Sequence, residues 1–203
     1  MNVAETAPLH DEISLADRYL PVYDVREYHE TRVSASSFRS YETLRALDLR
    51  RSVIVRALFA VRTLPSRLLG REPSRPLSST FLREALDVGW VILEETRGSE
   101  LAVGAVTQPW APVVEFRGLS PAAFLRFHEP GYAKIVWSIR AQPTDDGASI
   151  LSTETRVQTT DPQSQRKFRL YWLALGPGIR LIRLIALRIA RKDLRRARRP
   201  AVQ

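Results

Sequence analysis

Alternation of apolar and polar positions predicts the strands of this chain. From 24 to 34, β-branched and aromatic side chains alternate with charged ones, which is the period of an amphipathic strand. Five later segments have the same β-forming composition, namely 88–95, 101–107, 113–117, 133–142 and 149–160. Turn signals separate them, including Asp146-Gly147, a pair typical of β-hairpins. Neighbouring strands joined by short turns predict an antiparallel meander.

The segment between the first strand and this meander has apolar residues at helical spacing. The stretch Ala35-Ser36-Ser37-Phe38 offers a serine cap, and apolar residues then recur at helical intervals from Phe38 to Leu47. A second helical run covers 52–64, within an extended helical segment at 50–69, and 70–76 has the composition of a loop. The first strand is therefore expected to lead into helices and not into a hairpin.

The most regular pattern is at the C-terminal end. Asp161-Pro162 predicts a helix start, because aspartate caps a helix and proline fits its first position. At 100° per residue, one face stays apolar for about six turns. It comprises Phe168, Tyr171, Trp172, Leu175, Ile179, Ile182, Ile185, Ala186 and Ile189. Gly176-Pro177-Gly178 predicts a bend, and the unchanged phase on both sides of it predicts one helix, not two.

A strand, helices, a meander and one long amphipathic helix follow each other in the order of the helix-grip fold, which is of the α+β class. The chain resembles the SRPBCC superfamily of polyketide cyclase, Bet v 1 and START-related proteins, and is most similar to bacterial members of unestablished function. The resemblance spans about 23–196 and is carried by 30–36, 131–134 with Trp137, 152–157 and 166–172. It implies a curved antiparallel sheet wrapped around the C-terminal helix, with a hydrophobic cavity between them, but no particular reaction.

Length and composition narrow the protein class. With 203 residues and 44% hydrophobic content, we expect one domain at 23–197, a flexible acidic lead-in at 1–22 and a basic tail at 198–203. The absence of cysteine excludes disulfides and thiolate metal sites, and favours a reducing cytoplasm. We find no signal-peptide pattern and no apolar stretch near the ~20 residues that span a bilayer, so we expect a soluble or peripheral protein.

The net charge of +9 is concentrated at one end. Residues 180–203 carry +8, so the rest of the chain is nearly neutral. Opposite the apolar face of the C-terminal helix, a second side holds Leu170, Leu173, Leu181 and Leu184, followed by Arg188, Arg191 and Arg195. This side could contact an anionic membrane, pack on the 52–64 helix or on a second copy in a homodimer, or remain solvated. Nucleic acid is disfavoured, because 180–203 contains no aromatic residue.

Side chains expected on the inner faces form the candidate ligand-binding set. It comprises Trp90, Trp137, Thr153, Thr155, Phe168, Trp172 and Leu175. Tryptophan can stack on a ring and donate one hydrogen bond, although ordinary core packing explains it equally. Thr153 and Thr155 alternate with Glu154 and Arg156, so the threonines face the concave side if the charged pair faces water. Their β-branched shape also simply suits a strand.

No complete catalytic apparatus is evident. His29 is a weak candidate base, and a buried structural histidine is the alternative, because no spacing supplies an orienting partner. We find no metal-ligand cluster, phosphate-binding glycine pattern or nucleophile elbow, and expect no cofactor. The leading hypothesis is binding of a lipid- or polyketide-like molecule. The alternatives are a cyclase or aromatase using His29, Thr153 and Thr155, and a peripheral membrane or assembly module using the C-terminal helix.

Overall fold

A computed structural model describes residues 13–52, 54 and 80–197. The helices are α1 (Leu15–Tyr19), α2 (Ser37–Arg45), a 3-10 turn (Leu49–Arg51), α3 (Phe81–Asp87), α4 (Pro121–Arg126) and α5 (Pro162–Arg196). The strands are β1 (Val25–Val33), β2 (Val91–Thr96), β3 (Glu100–Thr107), β4 (Phe116–Arg117), β5 (Ala133–Pro143) and β6 (Ser149–Thr159). The helix predicted at 52–64 and most of the segment at 50–69 lie outside the described residues.

The strands form one antiparallel sheet in the order β1-β6-β5-β3-β2, with β4 beside β3. The long helix α5 packs against β1 and β6 on one face of this sheet, and α2 packs beside it. This arrangement confirms the predicted α+β helix-grip class. The division into lead-in, domain and tail remains a prediction.

Two predicted boundaries differ from the structure. The strand predicted at 88–95 begins only at Val91, because α3 precedes it and the chain turns at Gly89 with φ +109°. Of the strand predicted at 113–117, only Phe116–Arg117 pairs with β3. The short helices α3 and α4 were not predicted, although Thr80 and Ser120 cap them with their hydroxyl oxygens.

Helix α5 begins at a fully used cap. Asp161 Oδ1 accepts from the backbone N–H groups of Gln163 and Ser164, each at 2.9 Å. Its Oδ2 accepts from the Ser164 hydroxyl and from the Gly131 N–H, both at 2.6 Å. The hydrogen bond from the Ser164 hydroxyl, together with the three backbone hydrogen bonds, holds the pKa of the Asp161 carboxyl far below its usual range. These bonds also fix the start of α5 against the turn that leads into β5.

From this start α5 runs without a break through Gly176-Pro177-Gly178, so the prediction of one helix is confirmed. Gly176 has a packing reason to lack a side chain. A Cβ placed on it would lie 3.1 Å from indole atoms of Trp172. The absence of a side chain at position 176 therefore provides the space that the Trp172 ring occupies.

The opposite face of the sheet is covered by α1. Leu15, Ala16, Tyr19 and Leu20, within the predicted lead-in, are buried in a cluster with Phe124 and with side chains of β3 and β5. The condition considered for the inward threonines, that Glu154 and Arg156 face water, is therefore not met. Both point away from the threonines, as the alternation requires, but they are buried beneath α1 and the chain that follows it.

Candidate ligand-binding cavity

An apolar cavity of about 280 Å³ lies between the inner face of the sheet and α5. This volume is slightly below the roughly 300–1,000 Å³ typical of small-molecule sites. The sheet contributes alternate residues of β5 and β6, α5 contributes its apolar stripe, and α2 and α3 contribute one side. All seven residues of the predicted set line the cavity, namely Trp90, Trp137, Thr153, Thr155, Phe168, Trp172 and Leu175. Whether they bind a ligand remains a prediction.

Aromatic rings hold each other in place around the cavity. On α5, the Trp172 ring stacks on Phe168, with centroids 5.6 Å apart and planes 30° apart. Across the cavity, Phe81 meets Trp137 edge-on, with centroids 5.0 Å apart. Both arrangements fall within the favourable range for aromatic pairs. The rings of the wall therefore fix each other's orientation.

The hydroxyl of Thr153 is fully used by the protein. Its oxygen accepts a hydrogen bond from Trp137 Nε1 at 2.9 Å and another from Arg183 Nη1 at 3.1 Å. Its proton is donated to the backbone carbonyl of Ser138 at 3.1 Å. A hydroxyl offers one donor and two acceptor positions, so no capacity is left for a ligand. Thr153 therefore positions the Trp137 and Arg183 side chains.

Thr155 differs from Thr153 in this respect. It is two residues further along β6, on the same inner face, and lies opposite Trp137 of β5 and Glu27 of β1. Its Oγ1 atom is buried and has no hydrogen-bond partner among the described residues. The hydroxyl of this cavity-lining residue therefore has unused hydrogen-bonding capacity.

Arg183 is one of the cavity residues outside the set predicted from the sequence. Its guanidinium lies at the cavity wall, with Cζ 5.7 Å from the centre of the Trp137 ring. Burial lowers the pKa of Arg183 to about 10, while the nearby charge of Glu27 acts in the opposite direction. The side chain therefore keeps its positive charge at neutral pH.

A periodic signal for Arg183 was present in the sequence. Eleven residues at 100° each turn the helix to within about 20° of its starting direction, so Arg183 lies almost directly along α5 from Trp172. In the sequence analysis it was counted only as part of the basic C-terminal end. Its position along the helix, and not its charge, indicates that it faces the cavity.

His29 does not line the cavity. It lies on the inner face of β1, opposite Thr153, with a side chain that is mostly buried. Its Nε2 atom is 3.4 Å from a carboxylate oxygen of Glu27 and makes no hydrogen bond within the described part of the chain. The described residues also contain no group of three or more His, Asp or Glu side chains that could hold a metal ion.

The side of α5 that faces away from the sheet is exposed to solvent. Leu170 and Leu173 are 73% and 79% exposed, and Arg188, Arg191 and Arg195 are exposed further along the helix. Towards the C-terminal end, the buried residues Leu187, Ala190 and Leu194 pack into the core beside α2. Among the described helices, none combines the length and the apolar character needed to cross a bilayer.

Comparison with known proteins shows similarity to solved structures but not to sequences. No protein-family model matches the chain, and no curated protein matches its sequence. A solved structure similar to it is the crystal structure of Ara h 8.0201, with 11% sequence identity and a TM-score of 0.20. The match covers 80% of this chain and 97% of that chain. At these values it carries no argument about function, and the fold assignment above follows from the sheet and helix themselves.

Proposed function

We propose that this protein binds an apolar small molecule, lipid- or polyketide-like in character, in the cavity between the sheet and α5. The observation that carries the proposal is the cavity itself, whose wall consists mainly of aliphatic and aromatic side chains held rigidly by each other. Water in such a cavity finds few hydrogen-bond partners, so an apolar molecule that displaces it is favoured.

Binding of a neutral fluorescent probe, N-phenyl-1-naphthylamine, tests this proposal. We expect wild-type protein to bind the probe, and Ile179→Trp to weaken binding at least about tenfold, because the larger ring occupies the cavity that Ile179 lines. Fluorescence titration measures both dissociation constants. Leu173→Trp is the matched control, since it adds the same ring to the exposed side of the same helix.

Equal affinity in Ile179→Trp and wild type, with circular dichroism unchanged, would place the probe outside the cavity and contradict the proposal. Failure of wild-type protein to bind the probe would contradict it as well. Weakening by Leu173→Trp to the same extent would show that the effect of Ile179→Trp is not specific to the cavity.

A cyclase or aromatase would use the same cavity. Of the three side chains considered for that activity, His29 lies outside the cavity wall and the Thr153 hydroxyl is fully engaged. Only Thr155 offers an uncommitted hydroxyl to a bound molecule. Binding is therefore the function that the geometry supports best.

The exposed side of α5 supports a second candidate function, which is contact with an anionic membrane surface. Leu170 and Arg188 are eighteen residues apart, which is five full turns, so the exposed leucines and the later arginines share one side of the helix. Exposed leucines beside arginines are the pattern of interfacial helices, in which cations attract anionic lipids.

Co-sedimentation with phosphatidylserine vesicles tests this second candidate. We expect full-length protein to sediment with them and to lose at least about half of the bound fraction when Arg188, Arg191 and Arg195 are all replaced by glutamine, since each cation near such a surface contributes about 1 kcal/mol. Phosphatidylcholine vesicles are the control. Substitution is preferable to truncation, because Leu187 and Leu194 belong to the core. Unchanged sedimentation of the triple variant would contradict membrane contact, and dimerisation without lipid would indicate a second copy as the partner.

A further inference from the structure

The cavity contains one positive charge with no counterion in the described part of the chain. Arg183 forms no ion pair there, and its Nε atom is buried without a hydrogen-bond partner. By contrast, Arg156, on the other side of the sheet, contacts Glu154 at 2.6 Å and Asp17 at 2.7 Å. A buried charge is normally paired, because its loss of hydration is otherwise uncompensated. The environment of Arg183 is therefore incomplete in the absence of an anion.

The guanidinium is nevertheless held firmly. Thr153 accepts one of its five N–H donors, and Trp137, itself fixed by Thr153, contacts the cation with its ring. Four N–H donors thus remain on a planar group whose fork matches the two oxygens of a carboxylate. A side chain that is fixed in position but has unused hydrogen-bond donors is suited to bind a ligand.

A second donor lies on the same part of the wall. Thr155 is the next inward-facing residue after Thr153 on β6, and its buried hydroxyl has no partner among the described residues. Residues two apart on a strand are about 7 Å apart along it, which is within reach of one bound group. Glu27 lies opposite Thr155 and is the acidic neighbour on this face, where its carboxylate approaches His29 at 3.4 Å.

Most of the remaining cavity wall is apolar, and the other arginine that lines it, Arg45, is paired with Glu95. Along α5, Leu175, Ile179 and Ile182 line the cavity on the N-terminal side of Arg183, and Ala186 lines it on the C-terminal side. A molecule bound here would therefore meet the unpaired cation at one position and hydrocarbon over most of the remaining wall.

We propose that the ligand is an apolar molecule that ends in a carboxylate, and that Arg183 binds this carboxylate with Thr155 as a second hydrogen-bond donor. The inference rests on the proposed binding function and specifies its ligand class. A fatty acid or another monocarboxylate with an apolar body meets the description, whereas a neutral hydrocarbon leaves the charge of Arg183 unpaired.

A matched pair of ligands, decanoate and 1-decanol, tests the inference by displacement of N-phenyl-1-naphthylamine. We expect wild-type protein to bind decanoate about tenfold more tightly than 1-decanol, because hydrogen bonds to charged groups are the stronger ones. Arg183→Met should abolish this preference by weakening decanoate binding more than 1-decanol binding, since methionine retains an unbranched apolar stem but not the charge. Arg169→Met, an exposed position of the same helix, should keep the preference.

Two further variants apply if Arg183→Met does not fold. Thr155→Val should weaken decanoate binding about threefold and 1-decanol binding less, because valine has the same shape without the hydroxyl and the lost hydrogen bond to a carboxylate is the stronger one. Glu27→Gln should strengthen decanoate binding, because it removes a competing negative charge from this face.

The outcomes separate this inference from the proposed function. Equal binding of decanoate and 1-decanol by wild-type protein would overturn the carboxylate assignment and leave binding of apolar molecules standing. A preference for decanoate over 1-decanol that persists in Arg183→Met would also overturn it. The same holds if this preference is unchanged in both Thr155→Val and Glu27→Gln. Binding of neither ligand, nor of the probe, would contradict both proposals together.

Discussion

Replacement of Phe168 by alanine lowers the free energy of unfolding by about 3–5 kcal/mol, the range expected for a fully buried aromatic ring. Phe168 is 2% exposed and forms one cluster with Ala133 and Val157 of the sheet. Its ring also supports Trp172 and Tyr171, whose centroids lie 5.6 and 5.9 Å away. Its loss therefore removes contacts of the helix with the sheet and within the helix at once.

Urea denaturation followed by circular dichroism measures this change. Leu173→Ala is the control, because Leu173 lies five residues further along α5 and is 79% exposed. We expect it to alter the free energy of unfolding by less than about 0.5 kcal/mol, as surface substitutions usually do. Equal losses in the two variants would show that Phe168 is not the residue that joins α5 to the sheet.

Replacement of Arg156 by methionine is expected to cost about 1–3 kcal/mol, because the buried Glu154 carboxylate then keeps only one of its two arginine partners, Arg26 at 2.6 Å. The side chain of Arg156 is 4% exposed, and that of Glu154 is 8% exposed. Arg156 also donates to the backbone carbonyl of Leu20 at 3.1 Å and contacts Asp17 of α1, so the variant should loosen α1 as well. The free energy of unfolding from urea denaturation and hydrogen exchange at residues 15–20 measure both effects.

An exposed ion pair of the same sheet provides the control. The side chains of Arg32 and Asp146 are 60% and 58% exposed, and such pairs contribute only about 0–1 kcal/mol. We therefore expect Arg32→Met to have little effect. Combining Arg156→Met with Glu154→Leu should recover part of the loss, because the buried carboxylate that lost one of its two arginine partners is then absent. A double variant less stable than Arg156→Met alone would refute this explanation.

Arg156 and Arg183 thus differ in the partners that surround their guanidinium groups. Arg156 has two carboxylates and a carbonyl as partners, and its role is to attach α1 to the sheet. Arg183 has a hydroxyl and an aromatic ring, with no carboxylate partner among the described residues. The first environment is complete without a ligand, whereas the second is completed by an anion. This difference is the physical basis for assigning a ligand class to the cavity.

The regular elements could be predicted because local patterns determine them. The alternation in β1, the hairpin signal at Asp146-Gly147 and the cap at Asp161 each appear in the structure where the sequence indicated them. The seven predicted cavity residues also line the cavity, because the inward side of a strand or helix follows from its period. Short helices such as α3 and α4 were missed, since two turns give too little periodicity to recognise.

The sequence by itself determined the order of the elements, the inward faces and the long helix that encloses the cavity, because these depend on neighbours along the chain. Only the tertiary structure decided which charged side chains are buried and what they contact. Arg156 and Arg183 look alike in sequence, yet one lies beneath α1 and the other beside Trp137. Burial and ion pairing depend on residues distant in the chain, because the elements that pack over a charged side chain determine its exposure and its partners.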